Sequence, residues 1–181
     1  MSWLELIALI SGVLGVWLTI KQNIWCWPTA LISVVLSCIA FFEQRLYGDS
    51  ALQVFYFVAG IYGWYFWNQK SQTHFEVSKM DLNKSPLYLA ITIIQAIVYY
   101  FLLRFFKSDQ VLFDAVLTAC SLTATYMMTK KWLENWLIWV FIDSAYVFLY
   151  GIKHMYLFAI LYAAFAAFAF YGWRKWKNNL A

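Results

Sequence analysis

Seven long apolar runs, separated by short polar breaks, make up most of the chain: 3–20, 24–42, 51–67, 87–106, 111–128, 136–151 and 155–173. A helix that crosses a bilayer needs roughly 20 largely apolar residues, and each run approaches that length. The sixth is the shortest, so its start is expected a few residues earlier. A membrane β-barrel would show alternating strands of roughly ten residues, and these continuous runs exclude it. The breaks at 21–23 and 107–110 leave no room for extramembrane domains, and the longest polar stretch, 68–86, reads as a loop. The first run lacks the basic region of a signal peptide and is read as a mature span. The pattern predicts an all-α integral membrane protein with seven transmembrane helices in a single domain over residues 1–181.

Composition sharpens this picture. Of 181 residues, 64% are hydrophobic, 22% aromatic and only 12% charged, against roughly a quarter charged in soluble domains. A soluble enzyme, a disordered chain and a disulfide scaffold are excluded on those grounds. The net charge of +4 is scattered along the chain and does not suggest nucleic-acid binding. Cys26, Cys38 and Cys120 lie in apolar runs without CxxC spacing, and His74 and His154 sit in different loops. No metal, cofactor or catalytic group is expected, and no GxxxxGK[ST] motif is present. Trp25, Trp27, Trp64, Trp67, Trp132, Trp136 and Trp173 fall at span ends, where interface anchors are common.

Seven spans place the termini on opposite sides. The N-terminal side carries 4 basic residues, Arg45, Arg104, Lys107 and Lys153, and the other side carries the remaining 9. Positive charge favours the cytoplasm, so the N-terminus is predicted outside and the C-terminus inside.

The two ends of the chain resemble each other. Tyr47 and Tyr156, Leu52 and Leu161, and Tyr62-Gly63-Trp64 and Tyr171-Gly172-Trp173 are 109 residues apart. Ser11 and Ser121, Thr19 and Thr129, and Lys21 and Lys131 are 110 apart, while Asn23 and Trp27 match Asn135 and Trp139 at 112. Spans 1–3 (about 3–67) therefore read as repeating in spans 5–7 (about 111–173), with span 4 (about 87–106) as a linker. The repeats run parallel, a design in which transporters bind substrate near the midplane.

Polar residues within spans are costly and mark pathways or packing. Asp143 lies deep in span 6, Asp114 near the outer end of span 5, Gln53 at the start of span 3 and Gln95 in span 4. Asn135 precedes span 6, with Glu134 beside it. Trp136, Trp139 and Asp143 share one helical face, and two indoles with a carboxylate suit a flat aromatic cation. Interface anchoring beside a packed Asp is the alternative. Ser33 falls near the repeat position of Asp143 and reaches either a ligand or a neighbouring helix.

Several motifs resemble the PnuC family of B-vitamin transporters. They are Arg45-Leu46-Tyr47, Leu52-Gln53-Val54-Phe55, Ile61-Tyr62-Gly63-Trp64, Phe113-Asp114, and Lys130-Lys131 with Glu134-Asn135-Trp136-Leu137-Ile138-Trp139. The resemblance implies a 3+1+3 arrangement like that of SWEET transporters, in a bacterial inner membrane. It also implies facilitated uptake, a homotrimer, and trapping of the substrate by a cytoplasmic kinase. By matching motif it makes Gln53, Trp136, Trp139 and Asn135 candidate substrate contacts. Nicotinamide riboside carriers of this family typically have Asn at the positions of Asp143 and, in span 2, near Ser33. A carboxylate only accepts hydrogen bonds, which suits the amino group of thiamine, whereas a carboxamide ligand both donates and accepts. Thiamine is therefore slightly favoured, with nicotinamide riboside as the alternative.

Overall fold

The computed structural model describes residues 3–43, 47–69, 76–105 and 110–180. The described residues form seven α-helices: α1 (Trp3–Ile20), α2 (Cys26–Glu43), α3 (Tyr47–Asn68), α4 (Ser85–Phe105), α5 (Val111–Thr129), α6 (Asn135–Ile152) and α7 (Tyr156–Lys177). One 3-10 turn, Leu82–Lys84, leads into α4. Among the described residues, extended pairing is confined to two isolated bridges, Val77 with Leu180 and Ser78 with Trp132.

The helices fall on the seven apolar runs. α3 starts four residues before its run and α7 ends four residues after, because the helix continues through Tyr47–Ser50 and Arg174–Lys177. Gln53 therefore sits in the second turn of α3 and does not open it. Pro28 and Pro86, the only prolines, both lie in first turns, where a missing N–H costs nothing. Among the described residues, five helices (α2, α4, α5, α6 and α7) are long and apolar enough to cross a bilayer, and in α1 the apolar part is Leu6–Ile20. α3 has 22 residues, and its Tyr, Trp and Asn side chains lower its hydropathy. α4 buries none of its residues and exposes Leu89, Ile94, Val98 and Phe101. So large an apolar surface is suited to hydrocarbon, not water.

The chain forms two compact units, residues 1–75 and 76–181. In the first, α2 packs against both α1 and α3. Small residues allow the close approach: a Cβ on Gly12 would lie 3.0 Å from the Ser33 hydroxyl oxygen. The Trp27 indole lies over Gly63 and meets Trp67 edge to face, with ring centroids 5.3 Å apart.

In the second unit, α4 packs on α5, α5 on α6, and α6 on α7. The Trp136 indole lies over Gly172 and meets Trp176 edge to face, again at 5.3 Å and 89°. Each member of this trio stands 109 residues after its counterpart in the first unit. The turns match as well. Gln22 and Lys131 have positive φ of 55° and 53°. The Asn23 N–H donates to Leu18 O and the Trp132 N–H to Met127 O, while those of Cys26 and Asn135 donate to Asn23 O and Trp132 O. A single offset of 109 thus replaces the 110 and 112 read from identical letters. What recurs is a backbone turn followed by an indole laid over a glycine. In a chain with 11 tryptophans, matching letters alone mislead by a few positions.

The polar stretch 68–86 is more than a free loop at its described end. The Ser78 N–H donates to Lys131 O, and Ser78 O accepts from the Leu133 N–H at 2.9 Å. The Glu134 carboxylate accepts from the Met80 N–H at 2.9 Å, and Val77 is buried. This segment straps the turn between α5 and α6.

Candidate functional site

The N-terminal half of α6 collects the buried polar groups. Asn135, its first residue, is fully buried. Its amide nitrogen donates to Trp132 O at 2.5 Å, which leaves its side-chain oxygen buried without a partner. The Nε1–H groups of Trp136 and Trp139 are likewise buried and unpartnered. Asp143 is 7% exposed, and among the described residues its carboxylate has no hydrogen-bond or ion-pair partner. Two donors and one acceptor are thus withheld from water on one helix, and the unpaired Asp143 carboxylate lies on the same helix. Each such group costs about 1–3 kcal/mol if nothing satisfies it. A ligand offering both donors and acceptors to α6 would recover that cost.

The other expected contacts are spread more widely. Ser33 donates from its hydroxyl to Ala8 O at 2.7 Å and so ties α2 to α1. Asp114 lies in the first turn of α5, where the helix dipole favours a negative charge, and it already has an interaction within the chain. Gln53 belongs to the first unit, where it lines a recess of about 240 Å³ with Val34, Val35 and Cys38. Gln95 accepts from the Thr123 hydroxyl at 3.3 Å, and Thr123 and Thr92 hydroxyls lie 2.7 Å apart, so this polar set joins α4 to α5.

Trp27 and Trp136 are 4% and 2% exposed, buried within their units and not placed as the interface anchors their positions suggested. Trp25, 64% exposed, suits that anchoring role. Sequence reading missed the buried, unpartnered Nε1–H of Trp27. The 109 offset carried through from Tyr-Gly-Trp would have found it. Among the described residues no group of His, Cys, Asp and Glu is placed to hold a metal ion.

A family model described as nicotinamide mononucleotide transporter matches residues 2–178. The nicotinamide riboside transporter PnuC of Escherichia coli (strain K12) is 30% identical over 207 residues, which cover 99% of this chain and 87% of that protein. The riboflavin/roseoflavin transporter RibM of Streptomyces davaonensis is 22% identical, covering 96% of this chain and 84% of its own. A crystal structure of the vitamin B3 transporter PnuC superposes with a TM-score of 0.78 at 21% identity, covering 98% of this chain and 81% of that one. With the family matched over nearly its whole length, the chain belongs to the PnuC family of membrane transporters.

Proposed function

We propose that this chain takes up nicotinamide riboside by facilitated diffusion. The observation that carries the reading is the unpartnered set on α6: donors on Trp136 and Trp139, acceptors on Asn135 and Asp143. A carboxamide donates and accepts, and a pyridinium ring offers a flat cation to indole faces and a carboxylate. Relatives named as nicotinamide riboside transporters support this substrate over thiamine, which had rested on Asp143 alone. An acceptor at Asp143 serves the carboxamide N–H₂ as well as it serves the amino group of thiamine. Gln53 remains a further candidate contact by motif. The test is uptake into vesicles containing the purified protein. Saturable entry of nicotinamide riboside without ATP or an ion gradient is expected. Strict dependence on a gradient, or uptake of thiamine with nicotinamide riboside ignored, would overturn it.

The same reading places the protein in a bacterial inner membrane with the N-terminus outside. It includes the 3+1+3 arrangement, assembly as a homotrimer, and a cytoplasmic kinase that traps the substrate. The charge bias of 9 basic residues against 4 supports the orientation. A cysteine replacing Lys153 is expected to react with an impermeant thiol reagent added to intact cells. Reaction only after the cytoplasmic face is opened would reverse the topology.

A further inference from the structure

The peptide between Trp132 and Leu133 is hydrogen-bonded at both edges. Its N–H, on Leu133, donates to Ser78 O at 2.9 Å. Its carbonyl, Trp132 O, accepts twice from Asn135, once from the backbone N–H at 3.2 Å and once from the side-chain amide nitrogen. A trans peptide is planar, with N–H and C=O on opposite edges. Fixing the N–H on Ser78 therefore aims the carbonyl at Asn135. That carbonyl only accepts, so the Asn135 amide presents its nitrogen to it. The side-chain oxygen is turned away and left buried without a partner.

Ser78 reaches this peptide because the strap around it is anchored on both sides. Its own N–H donates to Lys131 O at 3.2 Å. On one side Val77 is buried and pairs with Leu180, beyond the end of α7. On the other the Glu134 carboxylate accepts from the Met80 N–H at 2.9 Å. Glu134 immediately precedes α6, in the position of a helix cap, yet its side chain makes no capping bond to that helix. A cap side chain ordinarily accepts from N–H groups of the first turn. Here the carboxylate serves the strap instead.

The first unit supplies the contrast. At the 109 offset Asn23, Ile24, Trp25 and Cys26 stand where Trp132, Leu133, Glu134 and Asn135 stand. Among the described residues no extended segment pairs with that turn. Its sequence offers neither a carboxylate at the anchor position nor an amide at the position of Asn135. Among the described residues, strap, anchor and buried amide thus occur together, on one unit.

We infer that Glu134 is a positioning residue for substrate binding: by holding Met80 it keeps Ser78 on the Trp132–Leu133 peptide, and through that peptide it sets the side-chain oxygen of Asn135 for the ligand. The inference rests on the proposed function, in which that oxygen accepts a hydrogen bond from nicotinamide riboside.

The test is a double-mutant cycle read by calorimetric titration of nicotinamide riboside, with binding sites counted in each protein. Glu134→Ala is expected to weaken affinity about fivefold, the effect of one lost hydrogen bond, with the wild-type number of sites. Glu134→Gln keeps an acceptor oxygen for Met80 and should stay within about twofold of wild type. Added to Asn135→Ala, Glu134→Ala should change affinity by less than about twofold. Hydrogen–deuterium exchange of the ligand-free proteins gives a second reading that needs no Asn135 variant. Amides over 131–136 should exchange faster in Glu134→Ala than in wild type or Glu134→Gln, with α1–α3 unchanged. Wild-type affinity in Glu134→Ala would overturn the inference alone, as would a Gln variant as weak as the Ala variant. So would an undiminished loss in the Asn135→Ala background, or the disappearance of binding sites from Glu134→Ala, because Glu134 then acts elsewhere or on folding. If Asn135→Ala retains no sites, unchanged exchange over 131–136 overturns the inference and faster exchange upholds it. Wild-type protein that does not bind nicotinamide riboside would overturn the proposed function, and this inference with it.

Discussion

Gly172→Ala is expected to lower the thermal stability of the protein and weaken substrate binding together. A Cβ at this position would lie 2.8 Å from three atoms of the Trp136 ring. That ring is rigid, 2% exposed and already braced by Trp176. Neither α7 nor the indole yields without a shift, and overpacking of this kind costs about 1–3 kcal/mol. The midpoint should fall by about 2–4 °C for each kcal/mol lost. Because Trp136 also carries one of the unpartnered donors on α6, its displacement should weaken nicotinamide riboside binding. Gly63→Ala is the matched case in the first unit, where the new Cβ would run into the Trp27 ring. It should destabilise at least as much. Gly151→Ala is the control: nothing lies within 4 Å of the position its new Cβ would occupy, and the change should be neutral or stabilise α6 by up to about 1 kcal/mol. Thermal unfolding in detergent, followed by calorimetry, reads all three. A Gly172→Ala protein that melts and binds like wild type would remove the indole-on-glycine account.

Asp143→Ala and Trp139→Ala are expected to weaken nicotinamide riboside binding most, by about 30-fold or more, equivalent to roughly 2 kcal/mol. Asp143 is 7% exposed and has no partner among the described residues, so its carboxyl group is available to a ligand. Trp139 supplies a buried Nε1–H and an indole face one turn away. Asp143→Asn behaves differently. An amide both donates and accepts, so it complements the carboxamide and offsets much of the lost charge. Affinity for nicotinamide riboside should stay within about tenfold of wild type. Any residual thiamine binding should fall further, because the amino group of thiamine loses its ionised acceptor. Equal losses for both ligands in Asp143→Asn would show that Asp143 does not distinguish them.

Much of the fold was legible in the sequence because bilayer-length apolar runs have few alternatives. Helix ends were less so. At Tyr47–Ser50 and Arg174–Lys177, polar residues extend helices past the apolar run, and hydropathy does not see that extension. The repeat was visible in Tyr62-Gly63-Trp64 and Tyr171-Gly172-Trp173. Its register around Trp27 was not, because the chain offers Trp136 and Trp139 three residues apart and only packing against Gly172 distinguishes them. The α6 candidates were readable as a helical face. That Asn135 turns its amide nitrogen to Trp132 O and leaves the oxygen unpaired required the structure of the turn. Ser33 looked equivalent to Asp143, but at an offset of 109 that position is Val34, and Ser33 bonds across to α1. The strap from Val77 to Met80 was hidden because backbone bonds, with Glu134 as a side-chain anchor, hold it in place.

The most direct test of the α6 site is calorimetric titration of nicotinamide riboside and thiamine, side by side, into the wild-type protein, Asp143→Ala and Trp139→Ala. The account predicts that wild type binds nicotinamide riboside more tightly than thiamine and that both substitutions weaken this binding by about 30-fold or more. Nicotinamide riboside bound equally well by all three proteins, or not bound by wild type, would contradict it.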